Sequence, residues 1–196
     1  MAGGAAPGEA GVVAAVFDEA IALHQRVRAQ DAAPIVSAAE AIGTAFAAGG
    51  RLLVFGNGGS AADAQHLAAE LVGRFERERA AMPALALTTD TSVLTSVGND
   101  YGYDRVFARQ VEALGRPGDV AMGITTSGTS PNVLAALAAA RTRGLTTVAL
   151  TGRDGGQAGA MADVHINVPT ASAARAQEVH RTIIHALCAL LERGSQ

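Results

Sequence analysis

Leu52-Leu53-Val54-Phe55-Gly56-Asn57-Gly58-Gly59-Ser60 runs from a short apolar stretch, through three glycines, into a segment of helical pattern. A wholly apolar run of this length, closed by a turn and followed by a helix, reads as a strand of a parallel sheet buried on both faces. In open α/β sheets ligands gather at the C-terminal ends of the strands. Glycines let a ligand approach the backbone, and the helix that follows presents unpaired N–H groups to it. The spacing does not match the dinucleotide pattern Gly-x-Gly-x-x-Gly. Asp90 also lies farther on than the roughly 20 residues at which a ribose partner would stand. Taken alone, the turn reads equally well as a strand-to-helix connection capped by Ser60.

Working outward, four more apolar runs follow, at residues 84–87, 120–124, 146–150 and 164–168, after the first at 52–55. Helical patterns separate most of them, near 60–75, 103–114 and 131–143, and a long one over 173–192 closes the chain. Two further helical patterns, 9–29 and 31–48, precede the first strand, and Gly49-Gly50 stops the second. Strands alternating with helices indicate a parallel sheet covered on both faces. The expected organisation is a flexible segment over 1–8, then a single three-layer α/β domain over 9–196. Within it a helical extension over 9–48 precedes an α/β core over 51–196.

Composition bounds the chemistry. The chain has 196 residues, 49% hydrophobic and 17% charged, which is the balance of a compact folded domain. A net charge of −3 gives no general attraction to nucleic acid or anionic membrane, and neither is expected as a partner. No stretch has the length of a membrane span, no signal peptide is evident, and Cys188 is the single cysteine, so a cytoplasmic location is expected. All fifteen basic residues are arginine. Without lysine there is no Schiff-base chemistry and no Walker P-loop. An anionic ligand must then be held by aimed backbone N–H groups, hydroxyls and single arginines.

A second turn meets that need. Ile124-Thr125-Thr126-Ser127-Gly128-Thr129-Ser130-Pro131-Asn132 follows the third strand and gathers hydroxyls around one glycine, with Pro131 placed as a first helical residue. Hydroxyls beside a helix N-terminus can hold a phosphate, whereas an ordinary N-cap at Thr129 or Ser130 would need only one of them. On the helix after the first turn, His66 and Glu70 lie four residues apart and share a face amid apolar neighbours. A buried imidazole and carboxylate call for a partner, a metal or a substrate. The last helix carries Gln177, Glu178, His180 and His185. At ~100° per residue, Glu178 and His185 lie ~20° apart and Gln177 and His185 ~80° apart, so periodicity favours Glu178 as the neighbour of His185. His24 and His165 stand outside any cluster.

At these residues the chain resembles the phosphoheptose isomerase branch of the sugar-isomerase (SIS) domain family. The resemblance runs through 56–66, Glu70, Arg74-Phe75, 87–90, 98–103, 126–128, 130–132, Thr151-Gly152 and Gln177-Glu178. It implies a flavodoxin-like five-stranded parallel sheet and a homotetramer with active sites between subunits. It implies a sugar-phosphate substrate, sedoheptulose 7-phosphate, isomerised through an enediol(ate). By the resemblance the phosphate site falls on Ser60 and on Thr125, Thr126, Ser127 and Ser130. The sugar contacts fall on Asn57, Gly58, Gly59, Asn99, Asp100, Glu70 and Gln177, and the catalytic pair on Glu70 and His185. It further implies zinc (Zn2+) on His66, Glu70, Gln177 and His185. Thr125 stands where many members have serine, and Ser172-Ala173-Ala174 has no aspartate where many members place one. A non-enzymatic SIS protein that binds the bacterial replication initiator is similar over much of the chain, but that branch replaces the glutamate and the last-helix histidine that Glu70 and His185 retain here. Regulatory SIS domains usually accompany a DNA-binding domain, for which this chain has no room.

Overall fold

The protein is described by a computed structural model covering residues 8–30 and 32–194. Except for Gly8, the flexible segment expected over residues 1–8 falls outside the described residues. Five strands form one parallel sheet: β1 (Leu52–Gly56), β2 (Ala84–Ala86), β3 (Val120–Thr125), β4 (Thr146–Gly152) and β5 (Val164–Val168). The helices are α1 (Glu9–Arg28), α2 (Ala33–Ala47), α3 (Gly59–Val72), α4 (Thr91–Tyr101), α5 (Ala108–Leu114), α6 (Pro131–Thr142), α7 (Gly156–Met161) and α8 (Ala173–Gly194). The strand order β2-β1-β3-β4-β5 is the flavodoxin-like order, with its switch point between β1 and β3.

The strands are apolar because both faces are covered, and alternate side chains enter two separate cores. Leu52, Val54, Val120, Met122, Ile124, Val148 and Leu150 pack with buried residues of α2, α3 and α8. Leu53, Phe55, Ala121 and Ala149 face the other way, toward α5, α6 and α7. Helix α2 therefore belongs to one layer of the domain: Ala38 and Ile42 are fully buried in its core. Helix α1 lies outside that layer and buries only Leu23.

Register brings the two ligand-type turns side by side. Gly56 at the end of β1 pairs with Ile124 near the end of β3, so both strands finish level at the switch point. Their other ends are tied by Asp119, whose carboxylate accepts the N–H of Arg51 at 2.9 Å and of Arg116 at 3.0 Å.

Three helical features differ from the sequence expectation. The helix expected over 103–114 is split into a single tight turn, Tyr103–Arg105, and α5. The helix expected over 60–75 ends at Val72, because Gly73 takes ψ −113° and leaves helical geometry. Helices α4 and α7 were not expected. Helix α4 buries none of its residues fully, although Leu94 and Val97 pack against the second core, and it starts where the Asp90 carboxylate caps the N–H of Val93 at 3.0 Å.

Because Ile42 fills the core between α2 and the sheet, Ile42→Ala should lower stability by about 2–5 kcal/mol. Urea denaturation at fixed protein concentration measures this, and a change below about 0.5 kcal/mol, the size of a surface substitution, would show α2 to be an appendage.

Candidate active site

The site is built where α3 and α8 meet beneath the two turns. Helix α3 begins at Gly59, after Gly58 with φ +56°, a conformation that glycine adopts without strain. A Cβ at Gly59 would stand 2.5 Å from Nε2 of Gln177, so a side chain there would have to displace the Gln177 amide that lies across the start of the helix. Ser60 is buried in the first turn and donates its N–H to the carbonyl of Asn57 at 3.0 Å.

Across the switch point, Thr125 Oγ1 lies 3.1 Å from Ser130 Oγ and 3.3 Å from Ser127 Oγ. Ser127 Oγ also accepts the N–H of Thr129 at 3.2 Å. Ser130 is the N-cap residue of α6, yet its side chain makes no capping bond. Its hydroxyl is spent within the hydroxyl cluster, which is not how a simple cap behaves. Gly128, at φ +70°, lets the loop pack against Gly155, where any Cβ would collide with backbone. Thr126 shares this loop and packs its backbone against Gly152.

The two turns are joined by a reciprocal amide pair. Asn57 Nδ2 donates to Asn132 Oδ1 and Asn132 Nδ2 donates to Asn57 Oδ1, both at 2.8 Å, with Asn132 buried. Asn57 was expected among the sugar contacts, and its amide serves here as a clasp. The part played by Asn132 was not read from the sequence, although it sits in the quoted motif.

At the other end of α3, His66 Nε2 lies 2.8 Å from His185 Nε2 and 3.6 Å from Glu70 Oε1. One of the two facing nitrogens carries the proton and the other accepts it. Phe75 also packs on the His185 ring, with centroids 5.3 Å apart. Among the described residues no three His, Cys, Asp or Glu side chains are spaced as a formed metal centre. The donors themselves suit zinc, being two imidazoles and a carboxylate turned toward one region. Gln177, the fourth residue implied by the resemblance, stands about two turns before His185 on α8, with its amide against Gly59 at the start of α3. Glu178, favoured by periodicity as the neighbour of His185, is exposed and pairs with Arg175 at 3.0 Å. Asn99 and Asp100 are exposed near the end of α4, hydrogen-bonded to each other at 2.7 Å and not to the cluster.

Between these two ends the seam holds a buried charge. Asp63 is 1% exposed and accepts from Arg181 Nη2 at 2.8 Å, while its Oδ2 makes no hydrogen bond. Next to Arg181, His180 is fully buried and donates from Nε2 to the Thr151 carbonyl at 2.9 Å. Burial pushes its pKa down, against smaller opposing effects of that bond and of Asp63. The sequence signal for Asp63 was present: an acidic residue set among the apolar positions of α3.

The SIS domain family profile matches residues 16–152. A phosphoheptose isomerase of Roseiflexus sp. is 55% identical over 181 residues, covering 91% of this chain and 92% of that one. The chain belongs to the SIS domain family, within its phosphoheptose isomerase branch. Among solved structures of that branch, the enzyme from Neisseria gonorrhoeae is 50% identical with a TM-score of 0.88, covering 92% of this chain and 97% of that one. The enzyme from Francisella tularensis is 37% identical with a TM-score of 0.92, covering 95% and 100%. The SIS fold thus places a hydroxyl-lined turn and a histidine–carboxylate cluster along one helix of this chain.

The amide clasp is what joins the two turns of this SIS domain. Asn132→Ala leaves the Asn57 amide without either bond, and stability should fall by about 1–3 kcal/mol. Calorimetric titration with inorganic phosphate should show weakened binding in the same variant. Unchanged stability and unchanged phosphate binding would remove the clasp from the account.

Proposed function

We propose that the chain is an aldose–ketose isomerase that converts sedoheptulose 7-phosphate to D-glycero-D-manno-heptose 7-phosphate, the first step toward activated heptose. The observation that carries this reading is the placement of the hydroxyl turn and the His66–Glu70–His185 cluster along α3. The rise from Ser60 to His66 is about 9 Å, enough for a phosphate at one end and a sugar carbonyl at the other. The relatives are named phosphoheptose isomerases, which supports a heptose phosphate as the substrate. Retention of both Glu70 and His185 supports the enzyme over a binding protein for the replication initiator.

The phosphate is held by the 125–130 loop and the first turn of α3, which fixes the sugar chain and lets remote binding act at the reacting carbons. Glu70 removes the proton from C1, and His185 delivers a proton to the C2 oxygen, giving the enediol. Glu70 then returns its proton to C2 while His185 accepts the proton from the C1 oxygen, leaving the aldose. His66 holds His185 in orientation through the 2.8 Å contact. Zinc would be held by His66, Glu70, Gln177 and His185, and when bound it supplies polarisation of the carbonyl.

The active assembly in this reading is a homotetramer. Helix α1 exposes Val12, Val13, Val16, Phe17 and Ile21, an apolar row that a second subunit would cover. Asn99 and Asp100, exposed and not hydrogen-bonded to the cluster of their own chain, then serve a neighbour's site. A cytoplasmic setting is supported by Cys188, a buried free thiol.

Turnover of sedoheptulose 7-phosphate by purified protein, with metal content and sedimentation measured on the same sample, is the deciding experiment. Glu70→Gln and His185→Asn should each lower kcat by about 100-fold or more, with KM little changed. Solvent deuterium should enter C2 of the product. Absence of turnover in a tetrameric, zinc-loaded sample would sink the assignment, and product free of deuterium would replace proton transfer with a hydride shift.

A further inference from the structure

Helix α3 ends two residues after Glu70, and the last carbonyls of a helix have no partner within it. Here one side chain takes them. Arg79, 7% exposed at its side chain, donates from Nη2 to the Glu70 carbonyl at 2.7 Å, and from Nη1 to the carbonyls of Leu71 at 2.7 Å, Gly73 at 3.1 Å and Ala80 at 3.0 Å. A cation at this end also suits the helix dipole. Behind it stands Glu192 of α8, 4% exposed, with Oε1 3.5 Å from Arg79 Nε.

Glu192 holds the chain that leaves α3. Its Oε1 accepts the N–H of Phe75 at 3.0 Å, and its Oε2 accepts those of Glu76 at 3.2 Å and Arg77 at 3.0 Å. Successive N–H groups around a carboxylate make an anion-binding turn. Burial pushes the Glu192 carboxyl up, but these three bonds and Arg79 outweigh it and hold its pKa below the ordinary value. The residue so fixed, Phe75, is the one packed on His185. One buried ion pair therefore touches both members of the catalytic pair, Glu70 through its backbone and His185 through the Phe75 ring.

We propose that Arg79 and Glu192 are positioning residues of the active site, holding Glu70 and His185 in their working relation without touching substrate. The proposal rests on the isomerase reading for the roles of Glu70 and His185. Arg79 pins the final turn of α3, so that the Glu70 side chain leaves the helix in one direction. Glu192 pins 75–77, so that the His185 ring keeps its contacts with both Phe75 and His66. The phosphate loop at the opposite end of α3 is untouched by either. Misplacement of a catalytic group by about 1 Å can cost 100-fold in rate.

The test is Arg79→Lys, which keeps the charge but cannot reach four carbonyls with one ammonium. With fold and assembly checked by circular dichroism and sedimentation, kcat for sedoheptulose 7-phosphate should fall at least ten-fold while KM stays within two-fold. In histidine-labelled, metal-free protein, the His185 ring resonance, identified by its loss in His185→Asn, should move toward its position in Phe75→Leu. A kcat within two-fold of wild type, a fall in kcat matched by an equal rise in KM, or an unmoved His185 resonance would each overturn the proposal. Should Arg79→Lys fail to fold, Glu192→Gln is read by the same criteria. If wild type itself shows no turnover, the isomerase reading falls and the resonance alone decides the positioning.

Discussion

Helices α3 and α8 pack as apolar elements of one layer, yet the site lies along a polar seam between them. From the turn downward the seam runs Gly59 against Gln177, Asp63 against Arg181, and His66 against His185. Each contact steps three or four residues along α3 and four along α8, the repeat that keeps side chains on one helix face. Buried polar groups are costly unless paired, so an error in helix register would strand several of them at once. The seam thus sets the relative height of the two helices, and every distance in the catalytic cluster follows from that height.

The sheet supplies the other coordinate. Because β1 and β3 finish level at the switch point, the turns that follow them can be bridged by a single pair of asparagine amides. A chain without lysine has to hold phosphate by many weak, aimed donors, and such donors work only if their backbone is stiff. The stiffness comes from close glycine packing: Gly128 against Gly155, Gly152 against Thr126, and Gly56 against Ile124 leave no room for a Cβ. Small residues here give close approach of main chains, and the close approach fixes the hydroxyls.

Much of the architecture was legible because it is periodic. The five apolar runs became the five strands, and the long patterned helices appeared within a few residues of their expected bounds. Helix α4 was missed for the opposite reason: Thr91–Tyr101 is rich in Thr and Ser, its apolar Leu94 and Val97 are only partly buried against the core, and it opens on the Asp90 cap. The histidine–carboxylate pair on α3 could be read from its spacing, but its contact with His185 joins residues 119 apart in sequence, and phase on α8 pointed to Glu178 instead. No local pattern encodes such a meeting. Arg79 and Glu192 carry no local pattern that marks them as buried, and only the fold brings them together.

Cys188 sits on the buried side of α8, close enough to Glu70 and Glu192 for both to act on it. Burial, followed by these two carboxylates, pushes its thiol up to about 12. At neutral pH it is protonated and shielded, hence chemically silent toward alkylating and oxidising reagents while the layer is closed. As the sole thiol of the chain, it turns silent chemistry into a clock: the rate at which a thiol reagent marks the native protein counts the moments at which α8 lifts away from its layer.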